Sequence, residues 1–114
     1  ISSVIQKFCK NQNINLKYPN DIFLNKKKIC GILQEVIKIN KKSFLIIGIG
    51  LNVISNPKIK DIYETTSILK ETNKRNKVKN IIDEITQAYQ IFFKDMNNYD
   101  FNKFKIKAQL MSFN

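Results

Sequence analysis

Between Asn15 and Val53 the sequence passes through four short strand-like stretches, Asn15 to Tyr18, Asp21 to Asn25, Lys28 to Ile39 and Ser43 to Val53. Polar connections of only a few residues join them, and Asn40-Lys41-Lys42 reads as a hairpin turn. Connections this short bring successive strands together as antiparallel neighbours, because a parallel return needs a crossover of about a dozen residues or more.

The flanks have a different texture. Val4, Ile5, Phe8 and Cys9 recur at helical spacing, so the first ten residues read as the end of an amphipathic helix. Beyond Pro57, Thr65 to Glu71 reads as a short helix with a Thr or Ser cap. Val78, Ile81, Ile82, Ile85, Tyr89, Phe92, Phe93 and Met96 form one face of a longer helix, and Phe101, Phe104, Ala108 and Met111 suggest another. These stripes are expected to pack as core against the sheet. Helix, strands, then helices in this order predict an α+β (α/β two-layer) fold, a mixed and largely antiparallel sheet packed against helices.

At 114 residues the chain is one domain or part of one. It starts at Ile1 and ends at Asn114 without a stop signal, and reads as a fragment. No apolar run reaches the length of a membrane span and no signal peptide is visible, so a cytoplasmic protein without membrane association is expected. The net charge of +11 suggests attraction to acidic partners. Yet the lysines are spread along the chain and Arg75 is its one arginine, so specific nucleic-acid binding is not expected. There is no histidine, which excludes Ser-His and Cys-His nucleophiles and a zinc site of the usual kind. Cys9 and Cys30 are expected as buried, reduced thiols.

All three glycines of the chain, Gly31, Gly48 and Gly50, lie in strand-like stretches. In Phe44 to Val53, FLIIGIGLNV, alternation places Leu45, Ile47, Ile49, Leu51 and Val53 on one fully apolar face suited to burial under helices. Phe44, Ile46, Gly48, Gly50 and Asn52 share the other, a bare floor ending in an amide. Glycine within a strand costs roughly 0.5–1 kcal/mol against alanine, so close approach of a ligand or a backbone is the usual reason for two on one face. A bulge or a tight helix crossing is the alternative. The dinucleotide-binding fingerprint fails, since no third glycine and no helix follow.

In Leu16 to Leu33, LKYPNDIFLNKKKICGIL, Pro19 fixes a rigid corner followed by Asn20 and Asp21. A plain turn between strands accounts for it locally. Adjacent strands could also bring Asn20 and Asp21 near Lys28, a grouping suited to an anion carrying a metal. One geometric condition attaches to this. Lys28 and Leu33 lie an odd number of residues apart, so both can face one ligand only if a bulge near Gly31 intervenes or the strand starts after Lys28.

Taken together, Tyr18-Pro19-Asn20-Asp21, Lys28-Ile29-Cys30-Gly31-Ile32-Leu33 and Gly48-Ile49-Gly50-Leu51-Asn52-Val53 resemble the catalytic domain of the biotin–protein ligases. That family's pattern is K-W-P-N-D, K-(L/I)-x-G-I-L and G-x-G-x-N, in this order and at nearly these spacings. The resemblance is close over about residues 1–56. It implies a class II synthetase-like biotin/lipoate ligase catalytic fold, here incomplete, with residues 1–114 as the C-terminal part of the catalytic domain. It implies an ATP-dependent enzyme that makes biotinyl-adenylate from biotin and Mg-ATP. Biotin then passes to a lysine of a biotin carboxyl carrier protein or domain, that of acetyl-CoA carboxylase. The attacking amine comes from the carrier, which suits a chain without histidine.

Residue by residue, the resemblance makes Lys28 the catalytic lysine, facing the biotin carboxylate and the α-phosphate. It places Gly31, Leu33, Gly48 and Gly50 at the biotin slot and Asn20, Asp21 and Asn52 at the nucleotide, with Asp21 a candidate magnesium contact. Tyr18 stands where tryptophan is common, and Cys30 where a small residue is usual. The family's glycine- and arginine-rich loop and its small C-terminal β domain have no counterpart here, so the piece alone is expected to be inactive. A lipoate–protein ligase relative and a non-catalytic basic binding module are the alternatives. An exposed edge strand could support a homodimer.

Overall fold

The computed structural model describes residues 1–58, 63–98 and 100–112. Helix α1 (Ser2–Phe8) precedes four strands, β1 (Ile14–Lys17), β2 (Asp21–Leu24), β3 (Lys27–Ile39) and β4 (Lys42–Leu51). Helices α2 (Ile68–Thr72), α3 (Val78–Lys94) and α4 (Phe101–Leu110) follow, with a 3-10 turn at Met96–Asn98 between the last two.

The strands form one sheet in the order β1-β2-β3-β4, every neighbour antiparallel. Leu24 pairs with Lys27 and Ile39 with Lys42, which leaves two-residue turns at Asn25–Lys26 and Asn40–Lys41. All four turn residues have φ between 50° and 66°. That is the type I′ geometry, whose twist matches the flanking strands and which asparagine enters readily. Single parallel bridges, Lys28 to Thr65 and Leu16 to Ser112, make the sheet mixed in the small degree expected.

β2 and β3 are not in simple register. Ile22 pairs with Cys30 but Phe23 pairs with Lys28, so Ile29 is an extra residue, a β-bulge. Ile29 and Cys30 are consequently both buried, at 0% and 1% exposure. They join Ile22 and Leu24 of β2, Ile5 and Cys9 from the first helical segment, Ile68 of α2 and Ile81 of α3 in one core cluster. Burying side chains of this size contributes about 1.5–3 kcal/mol each. Both cysteines are free thiols within it, as expected.

Each helix is held by specific contacts. Ser67 caps α2, its Oγ accepting from the Lys70 amide at 3.1 Å, and Asn73 ends that helix in the left-handed conformation at φ 56°. Asp100 caps α4 in the same manner as Ser67, accepting from the Lys103 amide. Lys7 of α1 and Glu84 of α3 form an ion pair at 2.8 Å.

The expectation that the helical stripes are core is corrected for most of their length. Ile81 is buried and Ile85 packs against the cluster, but Val78, Ile82, Phe92, Phe93, Met96, Phe101 and Phe104 are all exposed. The physical reason is the size of the sheet. Four strands and α1 cover only the first turns of α3, and the apolar stripe runs on past them. The apolar face of β4 divides similarly: Ile49, Leu51 and Val53 pack on the core, while Leu45 near the hairpin tip stays 49% exposed.

Candidate functional site

The face of the sheet opposite the core is built row by row from paired residues, which share a face. Phe23 pairs with Lys28, then Lys17 with Asp21, Asp21 with Gly31, and Gly31 with Gly50. Leu33 pairs with Gly48 one row further on, and Glu35 with Ile46 beyond it. Successive rows lie about 6.8 Å apart, two residues of roughly 3.4 Å. Lys28, Asp21, Gly31, Gly50, Leu33 and Gly48 therefore lie on one surface. The Ile29 bulge permits this by reversing the alternation between Lys28 and Leu33, one of the two arrangements their spacing allows.

At the charged end, Lys28 Nζ lies 3.3 Å from Asp21 Oδ2, with both side chains about a third exposed at 32% and 28%. A Cβ built on Gly31 would stand 3.6 Å from Asp21 Oδ1 and 3.9 Å from Lys28 Cε, so the pair leans over the glycine. A Cβ on Gly48 would meet the Leu33 carbonyl oxygen at 3.8 Å, and one on Gly50 the Gly31 carbonyl oxygen at 3.8 Å. These are ordinary van der Waals separations. The protein's own packing would admit alanine at both positions, so the space above the floor is open rather than filled by another part of the described chain.

Of the three successive lysines, Lys26 lies in the turn and is exposed, Lys27 turns to Glu71 of α2 at 3.6 Å, and Lys28 is the one beside Asp21. Asn20 stands at the corner next to Asp21, its carbonyl oxygen accepting from the Ile32 amide at 2.9 Å. Tyr18, preceding the cis bond to Pro19, is 92% exposed beside that corner. Asn52 lies just past β4, and its side-chain amide donates to the Thr66 carbonyl oxygen at 3.0 Å. The site residues thus gather, with Asn52 bound into the adjoining segment. A cleft of about 500 Å³ opens beyond β4, lined by Leu51, Asn52, Asn56, Pro57 and Val78 among others, and shares only Asn52 with the glycine face.

Several residues of the site carry no signal in the sequence. Phe23 is fully buried on the Lys28 side of the sheet, edge-on to Tyr63 at 5.2 Å between centroids. Lys17 lies over the Tyr63 ring at 3.5 Å, a cation–π contact that walls the charged end. Glu35 and Ile46 close the far end of the floor. Alternation assigned Ile46 to this face, but nothing in the sequence marked it as a boundary.

A magnesium ion would find one carboxylate here. Among the described residues no group of three or more His, Cys, Asp or Glu could hold a metal. Among the described residues no helix is long and apolar enough to cross a membrane.

Residues 4–52 match the model of the biotin/lipoate A/B protein ligase family. The chain is 31% identical over 98 residues to the bifunctional ligase/repressor BirA of Bacillus subtilis, covering 81% of this chain and 30% of that protein. It is likewise 31% identical over 94 residues to biotin–protein ligase 2 of Arabidopsis thaliana, covering 76% and 24%. Among solved structures, the biotin protein ligase of Aquifex aeolicus superposes with a TM-score of 0.78 at 26% identity, over 98% of this chain and 49% of that one. The same Aquifex protein in complex with biotin and ATP gives 0.77, over 97% and 46%. The chain therefore spans less than a third of the curated relatives it matches and about half of the solved ones.

Proposed function

We propose, for a chain whose residues 4–52 match the model of the biotin/lipoate A/B protein ligase family, that its open sheet face takes part in adenylating biotin: a carboxylate oxygen of biotin attacks the α-phosphorus of ATP and pyrophosphate leaves. The product would be biotinyl-adenylate, whose acyl carbon is attacked by a lysine amine of a biotin carboxyl carrier protein or domain, that of acetyl-CoA carboxylase being the expected one, so that an amide forms and AMP leaves. The observation that carries this reading is the convergence of Lys28 and Asp21 on a floor made by Gly31, Gly48 and Gly50.

The roles follow from the layout. A flat bicyclic ring lies on a glycine floor because no Cβ lifts it, and Leu33, 72% exposed, gives it an apolar side. Lys28 places its ammonium where a carboxylate and a phosphate must approach one another despite their like charge. Stabilising charge in this way and fixing the two reactants is most of what adenylyl transfer requires. Asp21 holds the lysine in place, and its carboxylate would contribute to holding magnesium when the ion is bound. Asn20, beside Asp21 at the corner, and Asn52, just past β4, are the contacts assigned to the nucleotide. Magnesium, when bound with ATP, would offset the phosphate charge.

The resemblance to an Aquifex protein whose structure holds biotin and ATP supports these assignments. The test gives the open reading frame that carries this chain biotin or lipoate, Mg-ATP and a carrier domain, and reads the carrier by mass spectrometry. A biotin-sized gain is expected. A lipoyl-sized gain instead would move the assignment to the other branch of the family, and no gain from folded protein would overturn it.

A further inference from the structure

Glu71 is a carboxylate that the proposed chemistry does not use. Its side chain is 13% exposed at the end of α2, on the core side of the sheet, yet four elements converge on it. Thr66 Oγ1 donates to its Oε1 at 2.6 Å and Asn25 Nδ2 to its Oε2 at 3.0 Å. Lys27 Nζ lies 3.6 Å from Oε1, and Gln12 Nε2 donates to the Glu71 carbonyl oxygen at 3.1 Å. Asn25 also donates to Gln12, closing the ring of contacts. Hydrogen bonds to an ionised carboxylate are about twice as strong as neutral ones.

Two of these partners precede Lys28 in the chain. Asn25 and Lys27 belong to the turn and first strand residue immediately before it. Thr66, fully buried, belongs to the segment that hydrogen-bonds its main chain: the Lys28 amide donates to the Glu64 carbonyl oxygen at 2.8 Å, and the Thr66 amide to the Lys28 carbonyl oxygen at 2.9 Å. Lys28 is thus held at its own backbone and at the residues leading into it, and both holds run back to one carboxylate.

We propose that Glu71 is a positioning residue for Lys28. It keeps Lys27 and the Asn25 turn on the helix side of the sheet and, through Thr66, fixes the segment that carries the Lys28 main chain. Of three adjacent lysines, Lys28 alone is thereby delivered to Asp21 and Gly31. This rests on the proposed role of Lys28.

The test uses the open reading frame that carries this chain as wild type, Glu71→Gln, Thr66→Val, Lys28→Ala, and Glu71→Gln and Thr66→Val each joined to Lys28→Ala. The first readout is the nuclear Overhauser contact between the Lys28 ε-methylene and Gly31, the second the affinity for biotinyl-adenylate, with thermal melts checking the fold. Folded Glu71→Gln should lose most of that contact and about tenfold in affinity, and the affinity loss should vanish in the Lys28→Ala background. Thr66→Val, which removes one hold without touching charge, should act in the same direction and serves if Glu71→Gln does not fold. An unchanged contact in the folded variant, or an affinity loss that simply adds to that of Lys28→Ala, would overturn the inference. If wild type does not bind while the contact is lost in Glu71→Gln, the positioning stands and the ligase reading fails.

Discussion

Ile29 and Cys30 follow one another on β3, and both face the core. In a regular strand one of them would point to the other side. The reversal lets Lys28 before them and Gly31 after them share the opposite surface with Asp21. A single extra residue therefore joins the charged end of the candidate site to its glycine floor, while the two apolar side chains it displaces add to the core.

Replacing Lys28 by alanine should separate chemistry from stability. The Lys28–Asp21 pair is partly exposed, and such pairs contribute about 0–1 kcal/mol to folding. Loss of a donor that stabilises developing charge typically costs about 2.7–4 kcal/mol in the rate, or roughly a hundred- to thousandfold. Carrier biotinylation by the open reading frame should fall by that factor with the urea midpoint nearly unmoved. Undiminished transfer would remove Lys28 from its assigned role.

Gly48→Ala and Gly48→Val should behave alike in folding and differently from wild type in binding. A Cβ at this position meets nothing closer than 3.8 Å, and a strand residue other than glycine favours the extended chain by about 0.5–1 kcal/mol. Thermal stability should hold or rise slightly. Biotin affinity, read by calorimetry, should drop for alanine and further for valine. Equal affinity in all three proteins would mean that no ligand lies on the floor.

Acid should loosen the Glu71 cluster. Burial raises the carboxyl's proton affinity, but the hydrogen bonds from Thr66 and Asn25 and the charge of Lys27 outweigh it and hold the pKa below its ordinary 4.5. A lowered folded pKa contributes stability that is complete above the unfolded value and is lost as pH falls through the folded one. Urea melts of wild type and Glu71→Gln should therefore converge as pH drops below about 4.5 and differ by a constant amount near neutrality. A difference independent of pH would contradict the charge-based account.

Both thiols should resist alkylation in the native protein. Burial pushes Cys9 and Cys30 up to about 11, so little thiolate exists at pH 8. Iodoacetamide followed by mass spectrometry should add nothing to the native chain over the time that fully labels it in denaturant. Rapid labelling of Cys30 alone would show that β3 opens at its bulge.

Much of the fold is legible in the sequence. The strands are, because Asn-Lys pairs and the Pro19 corner punctuate them, and the antiparallel meander follows from how little chain joins them. The Lys28–Leu33 spacing left a bulge near Gly31 or a strand starting after Lys28, and the bulge is what forms, at Ile29. Helix α3 was legible as a helix but its burial was not. A stripe of apolar side chains records a preference for cover and is silent on whether a four-stranded sheet reaches far enough to supply it. Glu71 was invisible because its partners come from four places in the sequence, joined only when Lys28 bridges to Thr65.

The open floor above Gly48 and Gly50 has a consequence for inheritance. Positions that shape what the face can hold meet only ordinary contacts within the protein, while the residues that hold the fold lie behind the sheet. Were the floor to hold a ligand as proposed, substitutions at the first set would alter ligand preference while leaving the second undisturbed. A lineage carrying this hairpin could then drift in what it recognises without first risking whether it folds.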